Sequence, residues 1–275
     1  MSTSLPKKVV EKVWGRNDLP DYFGGYSSRQ IGEIWFEPPT ANDGLLVKYL
    51  FTSEKLSVQV HPSDQDAQSL GLGERGKEEC WLVLEAEAGA AVALGLNGTH
   101  DLEEVHKAAV DGSIEDMLVW HDAKVGDFFH VPAGTIHAIG PGLVLLEVQQ
   151  NTDITFRLFD YGRPRELHLD QALQCAKLEP YSGSSSTSVG ERSEEILLDN
   201  DALVVKMLTD QQLLVAPVTS TIIPLSGHIE IGRQILEKGN CVVMEAGEVL
   251  RSSASAKFLV VNDKQNALRG GTGRD

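Results

Sequence analysis

The sequence predicts a mainly β protein made of two β-rich units in tandem, with short helical excursions. Three observations lead to this prediction. Short apolar runs recur between polar breaks, few stretches have helical spacing, and a glycine-bounded pattern in the middle of the chain returns near its end. Short strands separated by polar breaks are typical of β-sandwiches and β-barrels rather than of alternating β–α–β units.

The first unit is predicted to occupy residues 1–180. Its N-terminal part, residues 1–43, is rich in glycine, proline and aromatic residues and has little periodicity. That composition indicates an extended arm with short strands. Further strands are predicted at residues 45–51, 56–60, 79–84, 91–94, 128–131 and 143–148.

Two stretches of the first unit have helical spacing. Within residues 101–120, the apolar residues Leu102, Val105 and Ala109 recur at intervals of three and four. Asp101 precedes them and can cap the helix. Residues 167–178 satisfy the same criterion. The sequence therefore predicts a small helical excursion between two strands and a second helix near the end of the unit.

The remaining chain is predicted to contain a linker, the second unit and a tail. Residues 181–194 are dominated by serine, with glycine at two positions, which indicates a flexible linker. Residues 195–263 form the second β-rich unit. Residues 264–275 are polar and indicate a frayed tail.

Composition excludes several classes of protein. The formal net charge is −16, and a surface of that sign repels nucleic acid and anionic lipid. No apolar run is long enough for a membrane span, and the N-terminus lacks the apolar segment of a secretory signal. A cytoplasmic protein is therefore expected. Three widely separated cysteines argue against both a disulfide framework and a thiolate zinc site.

One segment of the first unit points to chemistry. The stretch Gly126-Asp-Phe-Phe-His-Val-Pro132-Ala-Gly134-Thr-Ile-His137 is a strand that runs into a Pro-x-Gly turn. Pro132 fixes one backbone angle, and Gly134 permits a conformation that other residues avoid. The turn can therefore direct His137 inward from a rigid β-scaffold.

A second inward-facing set lies upstream of that turn. Gln59 and His61 are two residues apart, so they project from the same face of a strand, and Glu79 lies on a later strand. Together with His137 they offer two imidazoles, a carboxylate and an amide. Nitrogen and oxygen ligands of this kind suit Zn²⁺ and also Fe²⁺, Mn²⁺ or Co²⁺. One divalent metal ion per chain is predicted.

The second unit repeats the pattern around the turn without its histidine. Residues 239–250 align with residues 126–137 so that the glycines at the start and at the turn coincide. Glu245 stands in the place of Pro132, and Leu250 stands in the place of His137. The second unit is therefore predicted to be a degenerate copy that binds no metal.

These motifs together resemble a known family. The spacing from Gly126 to His137 fits the second cupin motif. The segments Leu-Ser-Val-Gln-Val-His-Pro (56–62), Gly-Lys-Glu-Glu-Cys-Trp (76–81), Pro-Ala-Gly-Thr-Ile-His-Ala (132–138) and Leu-Glu-Val-Gln-Gln-Asn-Thr-Asp-Ile-Thr-Phe-Arg (146–157) resemble the short bacterial form of type I mannose-6-phosphate isomerases. The resemblance covers residues 10–180 in detail. It implies two cupin-type β-barrel, or jelly-roll, units in tandem.

The resemblance also implies roles for individual residues and a substrate, a hexose 6-phosphate that passes between its mannose and fructose forms. The zinc ligands would be Gln59, His61, Glu79 and His137. The catalytic residues would be Arg157, Glu147 and Lys77, and the substrate-binding residues would be Lys48 and Ser57, the latter near the phosphate. Longer members of the family carry a large helical domain, for which residues 101–120 leave little room.

The residue types suit an aldose–ketose isomerisation. That reaction removes a proton from the carbon beside a carbonyl, so negative charge develops on oxygen in an enediol-like state. A metal ion and the permanently charged Arg157 can stabilise that charge. Glu147 is the first candidate for the base. Lys77 can shuttle protons between oxygens if burial and the metal lower its pKa.

Other interpretations of these residues stay open at this point. Arg157 can instead pair with Asp153 or Asp160, and Glu147 can be satisfied by Arg157 alone. A non-catalytic cupin sensor of sugar phosphates would keep the pocket and the metal without a proton-transfer pair. Another metal cupin, such as an epimerase or a dioxygenase, is a further alternative. The oligomeric state is left open.

Overall fold

The computed structural model describes residues 1–38, 44–210 and 213–264. Within these ranges the chain forms four antiparallel sheets and a few short helices. The mainly β prediction is confirmed. No helix in the described part of the chain combines the length and the apolar character that a bilayer crossing demands. The cytoplasmic location stays a prediction.

Residues from the first half of the chain dominate two of the sheets. In spatial order, the seven-stranded sheet consists of Ser185–Ser186, Phe128–Val131, Glu79–Ala86, Leu143–Gln150, Leu45–Thr52, Tyr26–Phe36 and Lys7–Asp18. The five-stranded sheet consists of Phe156–Phe159, Val58–Val60, His137–Ile139, Ala91–Leu96 and Leu118–Asp122.

The second half of the chain supplies most of the other two sheets. The six-stranded sheet has the order Thr3–Ser4, Val242–Met244, Ser220–Ser226, Lys257–Asp263, Leu203–Thr209 and Glu194–Asp199. The four-stranded sheet has the order Leu213–Val215, Val249–Ser252, His228–Ile231 and Gln234–Glu237. The N-terminal residues thus complete a sheet that belongs to the C-terminal half.

The helices are short. They are the α-helices Asp64–Ser69, Leu102–Asp111, Ile114–Met117 and Leu169–Cys175, and the 3₁₀-helix Asp21–Phe23. Asp101 caps the second α-helix as predicted, because its side chain accepts from the backbone N–H of Glu104. The helical part of residues 101–120 is shorter than predicted. Gly112 ends the helix at φ 87°, and Trp120 pairs in a strand with Ala93.

The N-terminal arm differs from the prediction of short strands. Lys7–Asp18 and Tyr26–Phe36 are long strands that pair with each other as a hairpin. Register irregularities interrupt their pairing, between Val10 and Glu11 and again on either side of Arg16. Each irregularity shifts the alternation of inward and outward side chains. The sequence pattern is therefore aperiodic although the backbone is extended.

The strand Leu45–Thr52, in the interior of the seven-stranded sheet, is buried on both faces. Tyr49 and Phe51 belong to a core cluster that they share with Val205 and Leu259 of the six-stranded sheet. Leu50, which points the other way, belongs to a cluster between the seven-stranded and five-stranded sheets. The seven-stranded sheet is consequently an inner layer with apolar packing on each side.

Two predicted segments lie at the boundaries of these sheets. Residues 181–194 contain the strand Ser185–Ser186, which pairs with Phe128 and Phe129. Whether the rest of that segment acts as a flexible linker stays a prediction. Of the predicted tail, Lys264 is described and pairs with Asp199, and the remainder lies outside the described residues.

The packing between the seven-stranded and six-stranded sheets generates a stability prediction. Leu259 is 1% exposed, so Leu259→Ala should lower the free energy of unfolding by about 2–5 kcal/mol. The surface change Ile235→Ala, at a side chain 67% exposed, should cost less than about 0.5 kcal/mol. Denaturant unfolding of both variants measures the difference. Equal costs would mean that Leu259 does not contribute to a packed interface between the sheets.

Candidate active site

The interior face of the seven-stranded sheet carries a row of polar and aromatic side chains. Lys48 and Trp81 are the cross-strand partners of Glu147 on its two sides. Trp35 and Phe129 extend the row in either direction. Directly opposed residues on neighbouring strands have Cβ atoms about 4.5–5.5 Å apart. The register therefore brings together residues that are far apart in the sequence.

The facing five-stranded sheet carries a second row. Gln59 pairs with His137 on one side and with Arg157 on the other. His61 follows two residues after Gln59, and its ring lies 4.8 Å from that of His137, centroid to centroid. The structure brings these residues together as predicted. Their roles stay predictions.

Glu79 meets both imidazoles between the two sheets. Its Oε1 lies 3.4 Å from His137 Nε2 and 3.6 Å from His61 Nε2. The ligand atoms of these three buried residues lie within 4.8 Å of one another, which marks them as a group that can hold a metal ion. The carboxylate Oε2 is buried without a hydrogen-bond partner, although Lys77 Nζ lies 2.8 Å away.

The donor set fits a divalent cation. Each histidine holds its Nδ1 against a backbone carbonyl, His61 against Ile154 at 2.9 Å and His137 against Thr135 at 2.8 Å. With Nδ1–H donating to these carbonyls, each Nε2 is unprotonated, the form that can bind a metal ion. Tetrahedral Zn²⁺ with bonds of about 2.0–2.1 Å separates its ligand atoms by about 3.3 Å. The two separations between Glu79 Oε1 and the histidine Nε2 atoms, 3.4 and 3.6 Å, are close to that value.

Gln59 completes the predicted ligand set at the edge of this group. Its Nε2 lies 3.2 Å from His137 Nε2, and its Oε1 accepts from Ser57 Oγ at 3.1 Å. The two ends of an amide have nearly the same shape. Rotation of the Gln59 amide would direct the oxygen toward the metal-binding group, as a ligand role requires.

The pKa values of the two histidines suit metal binding. Burial, and then the positive charge of Lys77, lower the pKa of His61 to about 3. Burial likewise lowers the pKa of His137, against the opposing charge of Glu79. Both imidazoles are therefore neutral near pH 7, which is the form that binds metals.

Lys77 is a fixed positive charge in this arrangement. Burial lowers the pKa of its ammonium group, but the carboxylates of Glu147 and Glu79 outweigh burial and raise the pKa overall. The predicted proton shuttle depends on a pKa that the metal ion lowers as well as burial, so that role of Lys77 stays a prediction. The geometry makes Lys77 an electrostatic partner of the two carboxylates.

Glu147 is enclosed by donors and cations. Trp81 Nε1 donates to Glu147 Oε2 at 3.1 Å. Lys48 and Lys77 lie 3.4 and 3.9 Å from Glu147 Oε1. Among the described residues these lysines, and not Arg157, are its ion-pair partners. Burial raises the pKa of Glu147 despite these cations, and a raised pKa suits a carboxylate that accepts and returns a proton near neutral pH.

Arg157 is half-buried on the wall of the adjoining cavity. Its Nη1 donates to the carbonyl of Glu166 at 3.3 Å, and its backbone N–H donates to His168 Nδ1 at 3.2 Å. No ion pair of its guanidinium with Asp153 or Asp160 is found in the described residues. Burial, and then the charge of Arg165, lower the pKa of Arg157. The guanidinium is thus left available for an anionic ligand.

A cavity of about 280 Å³ connects these groups. The predicted site residues on its wall are Lys48, Ser57, Gln59, Lys77, Glu147 and Arg157. The wall also contains residues that the sequence analysis missed, among them Lys12, Glu33, Arg165 and His168. Glu33 is 7% exposed and pairs with Lys12 at 3.3 Å. The sequence signal that could have found Glu33 is a single carboxylate beside apolar residues of a strand, where a buried charge is costly unless it is paired.

The sequence analysis also missed Glu78, which fixes the turn before His137. Its Oε2 accepts from the backbone N–H of Ala133 at 2.9 Å, within the Pro-Ala-Gly turn. Its Oε1 accepts from Asn200 Nδ2 at 2.9 Å and lies 2.6 Å from His130 Nε2. His130 is therefore a half-buried partner of this carboxylate, whereas strand parity alone would leave it exposed.

Comparison with known proteins identifies the family. No family model matches the sequence. The mannose-6-phosphate isomerase ManA of Bacillus subtilis (strain 168) is 40% identical over 226 residues, which are 68% of this chain and 71% of that protein. This chain belongs to the mannose-6-phosphate isomerase family.

Solved structures of the family share the fold. The crystal structure of a mannose 6-phosphate isomerase from Bacillus subtilis superposes with a TM-score of 0.80 and 26% identity, over 94% of this chain and 98% of that one. A zinc-bound mannose 6-phosphate isomerase superposes with a TM-score of 0.71 at 13% identity, over 96% and 99%. At that identity the second likeness concerns the fold alone.

The metal-binding group generates a direct prediction. His137→Ala removes one of the three converging ligands, so metal affinity should fall by more than the ~10–100-fold that loss of an outer-shell partner costs. His106→Ala, at an exposed histidine, should leave affinity unchanged. Competition with a metal-binding dye measures both variants. Equal affinity of His137→Ala and the unchanged protein would exclude His137 as a ligand.

Proposed function

We propose that this chain is a metal-dependent aldose–ketose isomerase that interconverts mannose 6-phosphate and fructose 6-phosphate. One divalent ion, with zinc as the first candidate, would be held by Gln59, His61, Glu79 and His137. The observation that carries the proposal is the position of Glu147. This buried carboxylate with a raised pKa lines the same cavity as Gln59, and Lys77 Nζ lies 3.9 Å from it and 2.8 Å from Glu79 of the metal-binding group.

Glu147 would move the proton between the two carbons. Its carboxylate takes the proton from C2 of the aldose and returns it to C1 of the enediol, while the proton of the C2 hydroxyl passes to the oxygen on C1, so the carbonyl moves from C1 to C2. Lys48 and Lys77 lie 3.4 and 3.9 Å from its Oε1, and nearby positive charge favours the ionised form of this buried carboxylate. When bound, the metal ion would supply Lewis-acid stabilisation of the sugar oxygens.

Cationic and hydroxyl groups on the cavity wall would bind and orient the substrate. Arg157 faces the cavity without a carboxylate partner among the described residues, and it can stabilise the negative charge that develops on oxygen. Ser57, 3% exposed beside Gln59, is proposed to lie near the phosphate. The cationic side chains on the cavity wall provide a positively charged site in a chain whose formal net charge is −16.

We further infer that the four sheets make up two cupin-type β-barrel units in tandem. The first would comprise residues 1–180, a linker would follow at 181–194, and the second would comprise residues 195–263. In support, one apolar cluster lies between the seven-stranded and five-stranded sheets, and another lies between the six-stranded and four-stranded sheets. Leu250, which replaces the histidine, is fully buried in the second cluster.

A metal-exchange experiment tests the isomerase proposal. The protein is stripped with a chelator, dialysed, and assayed for interconversion before and after one equivalent of zinc, manganese, cobalt or ferrous iron. We expect little turnover after stripping and recovery with at least one metal. Absence of turnover with every metal would refute the proposal and favour the sugar-phosphate sensor.

Substitutions of the proposed base and the cavity arginine separate an enzyme from a sensor. Glu147→Gln should reduce kcat by about 10²–10⁴-fold, because it removes the proton acceptor and keeps the side chain's shape. Arg157→Ala should also abolish most turnover while the metal stays bound. Glu103→Gln and Arg192→Ala are matched controls at exposed positions. Full activity of Glu147→Gln would eliminate that residue as the base.

A further inference from the structure

Trp81 lies where the proposed base and the proposed metal site meet. Its side chain is fully buried. The indole Nε1 donates to Glu147 Oε2 at 3.1 Å. The ring also packs edge-on against His137, with centroids 5.6 Å apart and an interplanar angle of 66°. One rigid side chain therefore contacts both parts of the site.

The register of the sheet explains this double contact. Trp81 and Glu147 are cross-strand partners, so the distance between their backbones is fixed by the sheet. Trp81 also lies two residues after Glu79, on the same face of the same strand. The indole thus projects beside a proposed ligand and toward the carboxylate of the next strand.

The two oxygens of Glu147 have different surroundings. Oε1 lies 3.4 and 3.9 Å from the ammonium groups of Lys48 and Lys77, and both distances exceed the roughly 2.7–3.2 Å of a protein N–H···O hydrogen bond. Oε2 accepts a directional hydrogen bond from a ring that is held on all sides. Among these contacts, the bond to Trp81 is the one that restricts rotation of the carboxylate.

We propose that Trp81 is a positioning residue. Its indole N–H orients the Glu147 carboxylate toward the cavity and holds it at a fixed distance from the metal-binding group. This inference rests on the proposed isomerase function. A purely structural role, in which the ring only fills the core, makes different predictions about turnover.

Trp81→Phe separates the two roles, because phenylalanine keeps a ring against His137 and lacks the N–H donor. We expect kcat to fall by about 10–100-fold, the equivalent of one hydrogen bond to a charged group. KM and metal content should stay within about threefold of the unchanged protein, since the ring packing is kept. The kinetic isotope effect on kcat with substrate deuterated at C2 should rise, because a misoriented base slows proton transfer.

The control is Trp120→Phe, at a partly buried tryptophan outside the proposed machinery. It should change kcat by less than about twofold, as surface or packing changes away from a site do. An isosteric replacement, Trp81→benzothienylalanine, guards against a folding defect, because it fills the same space and lacks only the donor. It should reproduce the loss in kcat at unchanged thermal stability.

The outcomes distinguish this inference from the proposed function. If the unchanged protein does not isomerise the substrate with any of the four metals, the proposed function fails. If it does, and Trp81→Phe and the isostere retain its kcat, the positioning role is refuted. A loss of turnover that follows loss of metal or loss of stability would likewise refute it and leave Trp81 as a core residue.

Discussion

The enclosure of opposite charges between two sheets is the constraint on which the site depends. Glu79 and Glu147 are buried carboxylates, and Lys48 and Lys77 are buried ammonium groups. Removing one partner from a buried ion pair leaves an uncompensated charge, at a cost of about 3–5 kcal/mol. The four charges cancel, so a divalent cation adds positive charge to a neutral set. An anionic sugar phosphate would then offset that charge.

The two-sided burial of the seven-stranded sheet provides the rigidity that this arrangement requires. One face holds the polar row of Lys48, Glu147 and Trp81, and the opposite face packs against the six-stranded sheet through residues such as Tyr49 and Val205. Close-packed interiors transmit displacement rather than absorb it. A substitution in the apolar layer can therefore alter the polar row although it touches none of the proposed catalytic residues.

The C-terminal half is connected to the site by hydrogen bonds, although it contributes no ligand to the metal-binding group. Asn200 donates to Glu78, and Glu78 accepts from Ala133 in the turn before His137. Glu79 begins its strand and faces the metal-binding group, and Glu78, directly before the strand, contacts the other half. This chain of contacts connects the C-terminal half with the turn that orients a proposed ligand.

The sequence by itself determined the mainly β character, the inward direction of His137 and the pairing of Gln59 with His61 on one face. Each follows from local physics, namely period-two alternation and the backbone limits of proline and glycine. The same local rules placed the Asp101 cap and located most strands within a few residues. They failed for the N-terminal hairpin, where the register irregularities around Arg16 break the alternation on which the rule depends.

Only the tertiary structure decided which charges face one another. Strand register across the seven-stranded sheet pairs Glu147 with Lys48 and Trp81 instead of Arg157, and Lys77 approaches it from the segment before Glu79. The raised pKa of Lys77 likewise arises from carboxylates that lie on different strands. Such contacts depend on long-range pairing, and electrostatic energies vary steeply with distance and burial. Sequence spacing gives neither the distances between these groups nor their burial. The roles of these residues can therefore be argued only from the assembled sheets.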